Sequence, residues 1–164
     1  MYESQLYNTS GEYPMVFPTV RPKAICIIRK EQQILVEYSK WPTEKDVFYV
    51  PLGGQIKYGE YGEDTIRREI LEEIKAEVED IHYLGTIENI FEAKKKIGHE
   101  IVLVYEARFV DETLYEKEMI EGLETEPDPP LPMVLYWKTP EEIEQEGLPL
   151  YPEGLRELLE DKDP

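Results

Sequence analysis

Thiols and imidazoles are almost missing from this chain: one cysteine, Cys26, and two histidines, His82 and His99, in 164 residues. A lone thiol cannot close an intramolecular disulfide, and neither histidine has a second Cys or His at ligand spacing, so neither a disulfide scaffold nor a zinc site is suggested. Cys26 lies in Ala24-Ile25-Cys26-Ile27-Ile28 and reads as a buried structural thiol. No run approaches 18 apolar residues, so no membrane-spanning helix is expected. The opening stretch MYESQLYNTSGEYPMVFPTV lacks a basic segment followed by an apolar one, so no signal peptide is expected and a cytoplasmic protein follows. Positive charge is scarce too, with 18 basic against 36 acidic residues and a net charge of −18. Nucleic-acid polymers are held mainly by Lys and Arg on phosphate, so this balance argues against a polymeric nucleic-acid partner and against RNA decapping.

What remains suits one domain with a real hydrophobic core, at 19.3 kDa. Residues 1–20, rich in Tyr and Pro and without periodicity, read as an extended arm able to cover a sheet edge or a second subunit, which leaves a homodimer open. Residues 21–164 read as the domain itself. Segments 22–30 and 33–38 have strand composition around a polar turn, 39–46 is a loop containing Trp41-Pro42, and Val47 to Val50 is a strand stopped by Pro51. Further on, 81–91 and 100–110 pair as a hairpin across the basic tip Lys94-Lys95-Lys96. Residues 112–122 read as a short helix and 127–132 as a Pro-rich linker, followed by a late strand from Met133 to Trp137. Thr139 and Pro140 open a helix as N-cap and first residue, and Leu155, Leu158 and Leu159 are the apolar side of a terminal helix.

The stretch from Gly54 to Ala76, GQIKYGEYGEDTIRREILEEIKA, carries the chemistry. Glu69, Glu72 and Glu73 are spaced i, i+3 and i+4, so a helix puts them on one face, where like charges repel. Ile66, Ile70 and Ile74 form the opposite, core-facing stripe. A divalent cation turns the repulsion into a ligand set, because hard ions such as Mg²⁺ favour carboxylate oxygens and keep positions for water and phosphate. Arg68 is placed to hold one carboxylate by a two-pronged pair. Other acidic clusters, Glu116, Glu118 and Glu121, and Glu141, Glu142, Glu144 and Glu146, lack the glycine turn and the neighbouring arginine and read as solvated faces. The pair Gly53-Gly54 is no P-loop, since no Gly-Lys-Ser/Thr follows.

Gly54, Glu60 and the run Arg68-Glu69-Ile70-x-Glu72-Glu73 resemble the signature of the Nudix hydrolases, G-x5-E-x7-R-E-U-x-E-E-x-G-U with U aliphatic. Lys75 stands where the signature has glycine, so the helix must end on a lysine in a left-handed conformation or run on. The resemblance implies an α+β fold of α/β/α layers around a mixed sheet. It also implies a pyrophosphohydrolase using Mg²⁺ or Mn²⁺, held by the Gly54 carbonyl and by Glu69, Glu72 and Glu73. Glu69, Arg68 and Glu60 form the implied catalytic set, with Glu60 supporting Arg68 and Arg68 orienting Glu69. The general base stays open between Glu69, which the resemblance also gives possible base character, and Glu100, Glu126 or Asp128 as an extra acid for metal or base.

Charge explains why such a site would work: water must attack phosphorus already surrounded by negative oxygens, so catalysis rests on positioning and on cancelling charge. The expected substrate is a small nucleoside diphosphate derivative: a nucleoside triphosphate, dinucleoside polyphosphate or nucleotide sugar. Two subfamily markers are missing, the proline about fifteen residues past the box of ADP-ribose pyrophosphatases and the SQPWPFPxS run of NADH pyrophosphatases. Tyr38, Trp41, Tyr58 and Phe91 are aromatic candidates for stacking a base, and the lysine tip for receiving polyphosphate. The alternative is a non-catalytic nucleotide-sensing or interaction module on the same fold, which has no need of the full acidic set.

Overall fold

A computed structural model describes residues 19–40, 43, 45–93 and 95–161. Residues 1–18 of the arm expected over 1–20, Trp41-Pro42 and Lys94 lie outside the described residues, and Val20 already belongs to a strand.

Strand β1 (Val20–Lys30) carries both halves of the sheet. One edge pairs in parallel with β6 (Lys96–Phe109) from Val20↔His99 to Ile28↔Ala107. The other edge is divided. Lys23 to Cys26 pair antiparallel with β4 (Leu52–Gln55), and Arg29-Lys30 turn into β2 (Gln33–Lys40). β5 (Val78–Ala93) completes one side as the long hairpin partner of β6. On the other side β2 pairs with β3 (Val47–Val50) and with β8 (Leu131–Lys138), and β8 with β7 (Met119–Glu124). The β1–β6 pairing is parallel and these others are antiparallel, so the sheet is mixed.

Alternation along β1 explains why its sequence reads as one apolar run. Ala24, Cys26 and Ile28 face the side of α1 (Gly62–Ile74), with Ile66 and Ile70. Ile25 and Ile27 face Ile143 of α2 (Pro140–Gln145) and Leu155 and Leu159 of α3 (Leu155–Glu160). With both faces covered, neither can be polar. The expected α/β/α layering is therefore present. Cys26 is fully buried, and burial raises its thiol pKa far above the usual range, in keeping with an inert structural role.

Several boundaries differ from expectation. The segment 112–122 is no helix: a 3-10 turn over Glu112–Glu116 gives way to β7, because Ile120 pairs with Leu135 and buries against the core. Gly122 lets that strand run close to α1, since a Cβ there would lie 2.5 Å from the Glu73 carbonyl oxygen. The stretch after Pro51 forms β4, and the Pro-rich linker ends at Leu131, where β8 begins. α1 stops at Ile74, short of Ala76. Lys75 takes the left-handed conformation, φ 57° and ψ 33°, its N–H donating to Leu71 O and its Nζ to Glu72 O at 2.8 Å. That conformation costs a non-glycine residue about 1–2 kcal/mol, and the cation at the helix C-terminus offsets part of it. At the other expected cap, Thr139 and Glu142 form a complete capping box behind Pro140.

Candidate metal and phosphate site

β4 and α1 are joined by Ile56 to Tyr61, and this short connection folds the box onto itself. Gly54 pairs with Ala24 in β1, which brings the strand under the helix. A Cβ on Gly54 would stand 2.1 Å from Glu69 Oε1, so only glycine allows the strand and the carboxylate to approach this closely. Glu69 is 1% exposed, and burial raises its pKa, against the opposing pull of Arg68.

Arg68 ties the box together. Its Nε and Nη2 donate to the two oxygens of Glu60 at 2.7 and 3.0 Å, so the two-pronged pair goes to Glu60. Nη1 donates to Glu69 Oε1 at 2.8 Å and to Glu72 Oε2 at 3.3 Å, and Nη2 also reaches Gln55 O at 3.1 Å. Glu60 further accepts from the Thr65 hydroxyl at 2.7 Å and from Lys57 N–H. The Arg68 hydrogen bond is the main reason its carboxyl falls to about 2.

Glu73 has no such support. Its Oε2 is buried with no hydrogen-bond partner, and burial, then repulsion from Glu124, Glu69, Glu37 and Glu72, pushes its pKa up to about 9. Glu37 on β2 rises to about 7, through burial and then Glu124, with Lys23 pulling the other way. Glu69, Glu73, Glu37, Glu124 and Glu126 line one cleft of about 840 Å³. Glu72, with its side chain 41% exposed, lines an adjoining depression with Lys57, Lys75 and Glu126.

Sequence reasoning missed Glu37 and Glu124. Both sit on strands of the other half of the sheet, and only the β2–β8–β7 order brings them to α1. The one local signal was Glu37 itself, an acid directly after the buried run Ile34-Leu35-Val36.

These donors fit a hard divalent ion. All are carboxylate oxygens, one of them buried and unsatisfied, on residues whose mutual repulsion a cation would cancel. Among the described residues no three acidic, histidine or cysteine side chains already converge as ligands. Arg68 holds Glu69 and Glu72 instead.

The remaining candidates scatter. Glu100 lines the same cleft, but its oxygens are taken by Arg21 at 2.7 Å and Asn89 at 3.1 Å. Glu126 lies on the cleft wall, whereas Asp128 lines neither the cleft nor the depression. Phe91 lines the cleft, Tyr38 packs edge-on against Tyr49, and Tyr58 is fully exposed. Lys95 and Lys96 sit at the tip of the β5–β6 hairpin, outside the cleft lining.

The profile of the NUDIX domain family matches residues 19–158. NAD-capped RNA hydrolase NudC of Vibrio cholerae is 35% identical over 74 residues, covering 45% of this chain and 25% of that relative. NudC of Mycobacterium tuberculosis is 31% identical over 84 residues, covering 50% and 26%. The matched stretch thus spans about a quarter of the length of these curated relatives. Among solved structures, a MutT NUDIX hydrolase from Burkholderia pseudomallei superposes with a TM-score of 0.61 at 21% identity, over 88% of this chain and 99% of that one. A NUDIX hydrolase from Nitrosomonas europaea gives 0.62 at 15% identity, over 87% and 88%. At these identities the structural likeness speaks for the fold.

Proposed function

This chain belongs to the Nudix family, and from that premise we propose that it is a divalent-metal-dependent hydrolase that cleaves the pyrophosphate linkage of a small nucleoside diphosphate derivative. The observation that carries the reading is the buried, unsatisfied Glu73 Oε2 among carboxylates whose repulsion a divalent cation would cancel. A nucleotide-sensing module on the same fold would gain nothing from keeping that unfavourable cluster.

Gly54, through its carbonyl, and Glu69, Glu72 and Glu73 would hold Mg²⁺ or Mn²⁺. Such an ion supplies positive charge against the phosphate oxygens and makes a water a better nucleophile. The chain's own residues do the positioning. Glu60 fixes the guanidinium of Arg68 in one plane, and Arg68 in turn fixes Glu69 in rotamer and direction. Glu69 then presents its second oxygen to the cleft. It is the residue we assign to proton abstraction from the attacking water, since burial already raises its proton affinity. Lys23, on the cleft wall and close enough to pull down the pKa of Glu37, offsets part of the charge a diphosphate brings.

The relatives named NAD-capped RNA hydrolase raise a second substrate class. The net charge of −18 favours the small substrate over a polymer, whose binding needs a basic track. Chromatographic detection of the phosphomonoester and pyrophosphate products from nucleoside triphosphates, dinucleoside polyphosphates, nucleotide sugars and an NAD-capped oligoribonucleotide, each with Mg²⁺ or Mn²⁺, separates these readings. Turnover of the small compounds, lost in excess EDTA, is expected. Turnover of the capped oligoribonucleotide alone would replace the small-substrate reading, and no turnover at all would favour the sensor.

A further inference from the structure

The far end of the cleft holds a polar pair for which the box has no use. Asn89 on β5 and Glu100 on β6 are direct cross-strand partners, 6% and 5% exposed, and both line the cleft. Arg21, opposite Glu100 on β1, donates Nη2 to Glu100 Oε1 at 2.7 Å. The other oxygen, Oε2, accepts from Asn89 Nδ2 at 3.1 Å. A carboxylate in an ion pair only accepts, so the amide of Asn89 must turn its NH₂ toward Glu100 and its Oδ1 the other way. Among the described residues no hydrogen bond reaches that Oδ1, and it is not sealed from solvent. It therefore opens on the cleft as a fixed acceptor held by a chain of three side chains.

We propose that Asn89 reads a hydrogen-bond donor on the nucleoside part of the ligand, the exocyclic amino group of its base, with Glu100 and Arg21 as positioning residues that prevent the amide from turning over. This rests on the nucleotide-hydrolase reading for the identity of the ligand class. The chemistry favours adenine or cytosine over hypoxanthine or uracil, because a keto oxygen facing Oδ1 would leave two acceptors opposed in a poorly solvated place. Phe91, two residues along β5, and Val102 supply apolar wall to the same cleft.

Equilibrium binding of nucleoside diphosphates as their α,β-methylene analogues, whose bridging carbon cannot be hydrolysed, measured by calorimetry on the full chain with Mg²⁺, tests this without any turnover. Wild-type protein is expected to bind ADP over IDP and CDP over UDP by about tenfold, the loss of one buried hydrogen bond. Asn89→Ala should flatten both ratios. Glu100→Gln, which keeps shape but lets either amide orientation bond, should narrow them mainly by improving IDP and UDP. Equal binding within each pair by the wild type overturns the proposal, as do ratios unchanged in folded Asn89→Ala. A preference that follows 2′-deoxy substitution instead of the base amine also overturns it. The wild-type comparison decides even where a variant fails to fold. Base preference without hydrolysis of any compound would sink the hydrolase reading and leave this subsite standing. Hydrolysis without base preference would do the reverse.

Discussion

Two helices of this chain are crowded with glutamate, and they meet the problem in opposite ways. On α2 and just past it, Glu141 and Glu144 are mostly exposed and reach Arg156 at 3.6 and 2.6 Å. Glu142 closes the capping box, and Glu146 accepts from the Tyr49 hydroxyl at 2.8 Å and pairs with Lys138. Every acid there has a cation, a cap or a hydroxyl as partner. On α1, Glu69 and Glu73 are buried, one arginine serves three carboxylates, and Glu73 Oε2 is left with none. Acid density is similar in the two places. Partner supply and burial tell a solvated face from the face we propose for a cation.

That contrast is sharpest at Glu73. Glu73→Gln is expected to lower kcat by about 10²–10³-fold and to abolish the rise in Tm that Mg²⁺ or Mn²⁺ gives the wild type through binding to the folded state. Metal-induced stabilisation that survives the substitution would break the comparison. Arg68→Lys tests the brace: lysine cannot span Glu60 and Glu69 as a fork, so kcat should fall by about 10- to 100-fold while the fold persists.

A third outcome concerns pH. The carboxyl of Glu60 is depressed from 4.5 to about 2, chiefly by its hydrogen bond from Arg68, so its contribution to stability is present above about pH 4.5 and lost as pH falls toward 2. Glu60→Gln should therefore destabilise the protein by about 1–2 kcal/mol at pH 7, with the gap closing in acid. Urea unfolding of both proteins between pH 7 and pH 3 measures this, and a gap independent of pH would remove charge from the explanation. The smallest change is expected on the other helix. Glu144→Gln should stay within about 0.5 kcal/mol and leave activity untouched, because an exposed ion pair contributes little.

Local pattern made much of this readable. The Ile66, Ile70, Ile74 stripe and the i, i+3, i+4 glutamates fix a helix without any tertiary information, but not two opposite faces: Glu69 and Glu73 are buried beside Ile66 and Ile70, and the acidic and apolar stripes adjoin. The β5–β6 hairpin and the Thr139 cap are likewise short-range features. What failed was non-local. Residues 112–122 have an acidic, helix-compatible composition, yet the free edge of β8 and the room at Gly122 draw Met119 to Glu124 into a strand. Glu37 and Glu124 escaped because their part in the cleft depends on strand order, which no window of sequence contains. Lys75 left two outcomes open, and the competition between helix extension and a Nζ contact to Glu72 O settled them in favour of the left-handed turn.

The divided edge of β1 sets a length. Ala24 stands opposite Gly54 at the acidic end, and Arg21 opposite Glu100 at the amide end, three positions apart on one strand. At about 3.3 Å per residue that interval is near 10 Å, and a hydrogen-bonded strand neither stretches nor slides without breaking both neighbours. Gly54 lies one strand to one side of β1 and Asn89 two strands to the other, so three spacings of about 4.8 Å add at right angles to that interval and set the place where a diphosphate would lie about 17 Å from the place where a base would be felt. A molecule of the wrong span can satisfy one mark but not the other.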